Sequence, residues 1–276
     1  MDRKTKIIAT VGPSLSSESK IKKIIDAGAN VLRINFSHGT LEDHENVISW
    51  ARKSNKQVAI MQDIQGPKIR TGISSENTFL EKSKNVTLTN IETESNNDIV
   101  FINYENLLRD VNVDDRVFID DGQIVLKVVE KENDKLEALI LIGGELRDNQ
   151  GVAFPDSNLS VSAITEKDIE HLKFGSEHDV DFVAVSFVRN ASDINLVKEI
   201  IPKDVKVIAK IELKTALDNI DEILDVADGV MVARGDLGVQ LPLEQVPFVQ
   251  KQILDAANKR GKISITATEM LQSMKT

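Results

Sequence analysis

The chain has 276 residues, with 34 Lys and Arg against 44 Asp and Glu, a formal net charge of −10. That mean field repels phosphate backbones and anionic bilayers, so nucleic acid and membrane surfaces are excluded as general partners and a phosphate site needs a local gathering of cations. The absence of cysteine excludes disulfides and thiolate metal centres and fits a reducing compartment.

The basic N-terminus leads into a short apolar run at 7–11, too brief for a secretory signal. No run approaches the ~20 apolar residues of a membrane span. A cytoplasmic protein is expected.

In chain order, Val-, Ile- and Ala-rich runs alternate with amphipathic stretches. KIIATVG (6–12), NVLRINF (30–36) and QVAIMQD (57–63) come first, separated by SESKIKKIIDAG and TLEDHENVISWARKSN. DFVAVSF (181–187), VKVIAKI (205–211), DGVMVAR (228–234) and KISITAT (262–268) come later, with SDINLVKEII among them. Such runs are what buried parallel strands look like, and Ser17 and Gly28 mark the start and stop of the first helix.

Between them, from about 70 to 161, helical periodicity fades. VTLTN, DIVFIN, DRVFIDDGQIVLKVVE, KLEALILIGG and GVAFP read as strands, with Asp121-Gly122 a hairpin turn. The expected organisation is a strand–helix part (1–69), an inserted all-β domain (70–161) and a second strand–helix part (162–276), the two strand–helix parts making one barrel if their sheet closes. Gly66-Pro67 and Thr71-Gly72 read as turn and hinge into the insertion.

The fold class is α/β with a small inserted all-β domain: repeated strand–helix units mean a parallel sheet, open or closed, and if closed it is a TIM-type (β/α)8 barrel with seven βα units in this chain. EMLQSMKT at the end reads as the helix after the seventh strand, cut short. The chain is thus expected to be either a fragment or a seven-unit derivative.

Polar residues recur at the C-terminal ends of six of the seven runs, the edge where parallel α/β folds bind ligands. They are Arg33, Asn35 and Ser37, then Asp63, Ser186, Lys210 and Glu212, Arg234 and Asp236, Thr266 and Thr268. Any one alone is as readily a helix cap or an ion pair.

Arg33 and Asn35 share a strand face at spacing two, as do Lys210 and Glu212. Arg suits phosphate or carboxylate, and a Lys beside a carboxylate suits developing negative charge next to a divalent metal. Asp236 in RGDLG brings a second carboxylate, and two carboxylates without His or Cys point to magnesium or manganese. The four histidines, His38, His44, His171 and His178, have no metal or triad spacing, and the last two are expected in solvent.

The order and spacing of KIIATVGPS, NVLRINFSHGT, DIQGPKIRTG, DDG, TEKDIEHLKFG, DVDFVAVSFVR, IAKIE, DGVMVARGDLGVQLP and TATEMLQSM resemble the pyruvate kinase family along nearly the whole chain. The resemblance implies a lid inserted after the third barrel strand, and phosphoryl transfer from phosphoenolpyruvate to ADP with Mg2+ or Mn2+. It also implies a homo-oligomer in the full-length form.

It places Glu212 and Asp236 on the magnesium, Lys210 and Arg33 on the transferring phosphoryl group, and Thr268 in the proton relay. Ala233, Arg234, Gly235, Asp236 and Ser186 fall on the substrate side. Pro13, His38, Arg70, Asp120 and Asp121 fall on the nucleotide side. Asn35, Ser37, Asp63 and Ile64 match a monovalent-cation site.

Two departures stand out. Lys68 occupies the place of a Glu in potassium-dependent members, with Ile64-Gln65 for Thr-Lys, so its ammonium is expected to replace potassium. In the lid, Asp148, Asn149 and Gln150 stand where basic residues are usual, and Phe154 stands for Leu. Two other readings stay open: a non-catalytic binder of phosphoenolpyruvate or pyruvate acting as a regulator, and a related metal–enolate lyase or decarboxylase.

Overall fold

All seven apolar runs form strands. The computed structural model describes residues 4–54 and 56–268, and the EMLQSMKT segment lies outside them. The order is β1 (Ile8–Val11), α1 (Glu18–Asp26), β2 (Val31–Asn35), α2 (Leu41–Arg52) and β3 (Ala59–Ile64). The middle contributes β4 (Phe79–Leu80), β5 (Asn85–Thr89), β6 (Ile99–Phe101), α3 (Leu107–Asp110), β7 (Arg116–Ile119), β8 (Ile124–Lys131), β9 (Leu136–Ile142), β10 (Gly144–Glu145) and β11 (Val152–Ala153). The first rhythm returns with α4 (Glu166–Glu177), β12 (Phe182–Val185), α5 (Ala191–Ile200), β13 (Lys206–Ile211), α6 (Lys214–Asp218), α7 (Ile220–Val226), β14 (Gly229–Val232), α8 (Arg234–Gln240), α9 (Val246–Lys259) and β15 (Ile263–Thr266).

The seven strands lie parallel in sequence order, β1-β2-β3-β12-β13-β14-β15. Their period-two alternation sorts side chains to two faces. One parity, including Leu32, Ile34, Ile60, Val183, Val207 and Val230, packs against the helices in the main core. The other parity puts Met61, Ala184, Ile208 and Met231 into a small inner cluster, with Ile8 of β1 and Ile265 of β15 packed on it. In a flat sheet the edge strands would stand six spacings of about 4.8 Å apart, so this shared cluster means that the sheet curls toward a barrel. Farther along the inner parity come Arg33, Asn35, Asp63, Ser186, Lys210 and Glu212, which is why the polar residues converge.

The insertion forms a six-stranded sheet, β11-β7-β8-β9-β5-β6, and a two-stranded β10-β4 pair, around its own core of Val86, Leu88, Val117, Leu126 and Ile140. Residues 70 and 71 bridge its two edges: Arg70 pairs with Gly151 beside β11, and Thr71 with Ile102 beside β6. Asp148 and Gln150 serve that closure, with Asp148 Oδ1 accepting from Ser74 N–H at 2.8 Å and Gln150 N–H donating to Thr71 Oγ1 at 3.0 Å. The turn at Asp120, Asp121 and Gly122 has positive φ throughout, which Asp and Gly tolerate.

The expectation of solvated His171 and His178 fails. Helix α4 turns the Asp168, His171, Leu172 and Gly175 face inward, so His171 is buried. His44 is buried beside it; the Phe36 ring centroid lies 4.1 Å from His44 and 5.1 Å from His171. His178 is partly buried and stacks on Phe174 at 4.0 Å.

Burial lowers the pKa of both inner histidines. For His44 the nearby His171 adds to burial, and Asp43 opposes. For His171 the Lys167 charge adds, and Asp168 and Glu170 oppose. His171 Nδ1 is buried with no hydrogen-bond partner, so an added proton there meets no acceptor. A histidine depressed in the fold contributes stability above its unfolded pKa of about 6.5 and loses it as pH falls through the folded value. The melting temperature should therefore fall from pH 7 to 5, and His171→Leu should flatten that slope. Parallel slopes for the two proteins would contradict the assignment.

Candidate active site

Five neighbouring strands join through side chains at their C-terminal ends. The Lys210 ammonium, on β13, donates to Ser186 Oγ at 2.7 Å and lies 3.2 Å from Asp63 Oδ1 and 2.9 Å from Glu212 Oε1. Asp63 Oδ2 accepts from Arg33 Nε at 2.6 Å, and Arg33 Nη1 donates to Thr10 Oγ1 on β1 at 3.0 Å. Asp63 and Glu212 are each 1% exposed and Lys210 9%. Charges so buried are sustained only by pairing, and here each has an opposite partner.

Burial alone would lower the Lys210 pKa, but Glu212 and Asp63 outweigh it and hold the ammonium protonated above its usual range. Burial pushes the Glu212 carboxyl up; Lys210 opposes, and Asp236 adds to the rise. The 2.9 Å contact with Lys210 supports the ionised pair. The other Glu212 oxygen accepts the Phe187 N–H at 2.7 Å.

Asp236 lies in the first turn of α8, the helix that follows β14. It is exposed on the wall of a cleft whose surroundings desolvate it, which raises its pKa against the pull of Lys210, with Asp121 adding to the rise. The cleft, about 420 Å³, lies between barrel and insertion, lined by Lys68, Asp121, Phe187, Glu212, Lys214 and Asp236 among others.

No group of three or more His, Cys, Asp or Glu gathers among the described residues. Two desolvated carboxylates of hard oxygen character fit a magnesium-like ion, which is commonly held by one or two carboxylates and completes its shell with water and substrate oxygens.

The remaining expected residues fall in several places. Asn35 Oδ1 accepts the Ser37 N–H at 3.0 Å, and the Ile64 carbonyl accepts Ser186 Oγ–H at 2.8 Å. Lys68 forms no ion pair within 4 Å among the described residues; its pKa is lowered by desolvation first and by Arg70 and Lys210, while Asp236 and Asp121 oppose. Asp120 is tied back to Arg147 at 2.7 Å, and Arg70 Nη1 donates to the Asn149 carbonyl at 2.6 Å.

Arg234 turns its guanidinium to the Ala267 and Thr268 carbonyls, at 2.6 and 2.7 Å from Nη2. Ala233 is buried at the start of α8 and Gly235 lies in its first turn. Pro13, His38 and Thr268 are exposed.

Sequence reasoning missed three supporting residues. Arg189 pairs with Asp193 at 2.9 Å and donates to the Val161 carbonyl at 2.6 Å, tying the end of the insertion to the barrel. Asp168 caps α4 in a box with Thr165 and accepts the Gly66 N–H at 3.2 Å. Phe187 holds Glu212 from a left-handed backbone, φ 54°. The Thr-x-x-Asp spacing could have revealed Asp168, whereas nothing local marks a Phe for that conformation.

A family model for the pyruvate kinase barrel domain matches residues 2–276. The pyruvate kinases of Staphylococcus aureus strains MRSA252 and USA300 are each 45% identical over 282 aligned residues, covering 99% of this chain and 48% of theirs. The chain thus spans about half the length of these curated relatives. It belongs to the pyruvate kinase family.

Proposed function

We propose that the chain carries the site of a pyruvate kinase, moving a phosphoryl group from phosphoenolpyruvate to ADP in cytoplasmic glycolysis with Mg2+ or Mn2+. The observation that carries this reading is the buried Lys210 ammonium bound to Asp63, Ser186 and Glu212 at one strand end. We divide the chain into barrel residues 1–69 and 162–276 and a lid of 70–161. A homo-oligomer in the full-length form belongs to the same reading.

Arg33 and Lys210 grip the phosphoryl oxygens. As the P–O bond of phosphoenolpyruvate breaks and the bond to the ADP oxygen forms, Lys210 faces the charge left on the enolate oxygen. The proton that completes pyruvate reaches the enolate carbon through a relay containing Thr268. Backbone N–H groups at 233–236 receive the substrate carboxylate, with Ser186 holding Lys210 in line. Pro13, His38, Arg70, Asp120 and Asp121 border the nucleotide. Glu212 and Asp236 would hold the divalent cation, which when bound supplies charge neutralisation to the transferring group.

Lys210 is fixed by three partners before substrate arrives, so little reorganisation is needed at the reaction. The relatives named above are pyruvate kinases, and nothing in them favours the non-catalytic or lyase readings.

A coupled assay with phosphoenolpyruvate, ADP and Mg2+ should show turnover, and Lys210→Met should lower kcat by about 10²–10³-fold, the usual loss for one electrostatic stabiliser. A chain that binds phosphoenolpyruvate without turning it over would restore the binder reading.

Lys68 is assigned the place of the monovalent cation. Within that set, Asn35 Oδ1 accepts from Ser37 N–H, Asp63 pairs with Arg33 and Lys210, and the Ile64 carbonyl accepts from Ser186, so Asp63 already carries two cationic partners. A further unit charge 4 Å from an ammonium costs about 4 kcal/mol near a protein surface. Rates should be equal in sodium, in potassium and with neither; strong potassium activation would contradict the assignment.

A further inference from the structure

The entrance to the insertion and the candidate metal ligand Glu212 meet at one residue, Phe187. Gly66 turns the chain out of β3 with φ 67°, and its N–H is held by Asp168. A methyl group built on Gly66 would come 3.1 Å from the Phe187 ring and 3.3 Å from the Ser186 carbonyl. The ring therefore rests in the space left by the absent side chain at the hinge. Phe187 itself has φ 54°, a region that bulky residues avoid, and in that conformation its N–H reaches Glu212 Oε2 at 2.7 Å. Ring packing against the hinge offsets the backbone strain, and the backbone in turn fixes the carboxylate.

We propose that Phe187 is a positioning residue for the divalent-metal ligand Glu212, locked by the Gly66 hinge. The inference rests on the reading of Glu212 and Asp236 as the metal pair. Without the ring, a residue carrying a β-carbon relaxes to negative φ, swings its N–H away and leaves one oxygen of a fully buried carboxylate unpaired. Glycine tolerates positive φ and can keep the N–H in place.

The test is Mn2+ binding to the full chain, followed by electron paramagnetic resonance of the free ion. Phe187→Ala should bind about ten-fold more weakly, as expected for loss of one hydrogen bond to a charged group. Phe187→Gly should recover part of that affinity, and Phe187→Tyr should match the unsubstituted chain. Gly66→Ala, which presses on the ring from the other side, should weaken binding as Phe187→Ala does, and serves if the latter does not fold. A role in packing alone predicts the reverse order, with Gly no better than Ala. If Glu212→Gln abolishes binding while Phe187→Ala and Gly66→Ala bind normally, the inference is overturned and the metal site stands. If the unsubstituted chain does not bind Mn2+, both are overturned.

Discussion

A lysine ammonium 9% exposed must be surrounded by acceptors or lose its proton, and the site follows from that requirement at Lys210. Its acceptors come from β3, from the end of β12 and from just past β13, which are adjacent in the sheet. Arg33 then balances the second oxygen of Asp63, and Phe187 N–H the second oxygen of Glu212. Removing Lys210 leaves the buried Glu212 carboxylate without its cation, which costs about 3–5 kcal/mol. Asp236 lines the neighbouring cleft with Glu212 and forms no ion pair among the described residues.

The insertion is tied to this frame at both of its connections. Asp168 holds the outgoing turn at Gly66, and Arg189 holds the returning segment at Leu159 and Val161. Residues 70 and 71, directly after the Lys68 position, close the insertion's own sheet. The short stretch from Asp63 to Thr71 therefore serves the charge network, the turn and the second sheet in succession. Asp148 and Gln150 have structural work in the insertion: both bond to the 71–74 segment.

Much of this was legible from residue order. Runs rich in Val and Ile with no helical period become the buried strands, and spacing two puts Arg33 with Asn35 and Lys210 with Glu212 on the inner face. What sequence hides is direction and context. Arg234 sits in a motif that suggests substrate, yet its side chain caps carbonyls at the end of β15. Asp120 and Asp121 are neighbours in one turn, but Asp120 is drawn back to Arg147 while Asp121 lines the cleft. His171 looked solvated because its neighbours in sequence are charged; its burial depends on Phe36, which is remote in the chain. The two-residue strands β4 and β10 are too short to carry a pattern.

The central claim is that Lys210 gathers Glu212 to the strand end where, with Asp236, it holds a divalent cation beside the substrate. Anomalous diffraction from crystals grown with Mn2+ tests it most directly. A single strong peak bridging the Glu212 and Asp236 carboxylates is the expected result. A peak bound elsewhere, or none at millimolar Mn2+, would contradict the account.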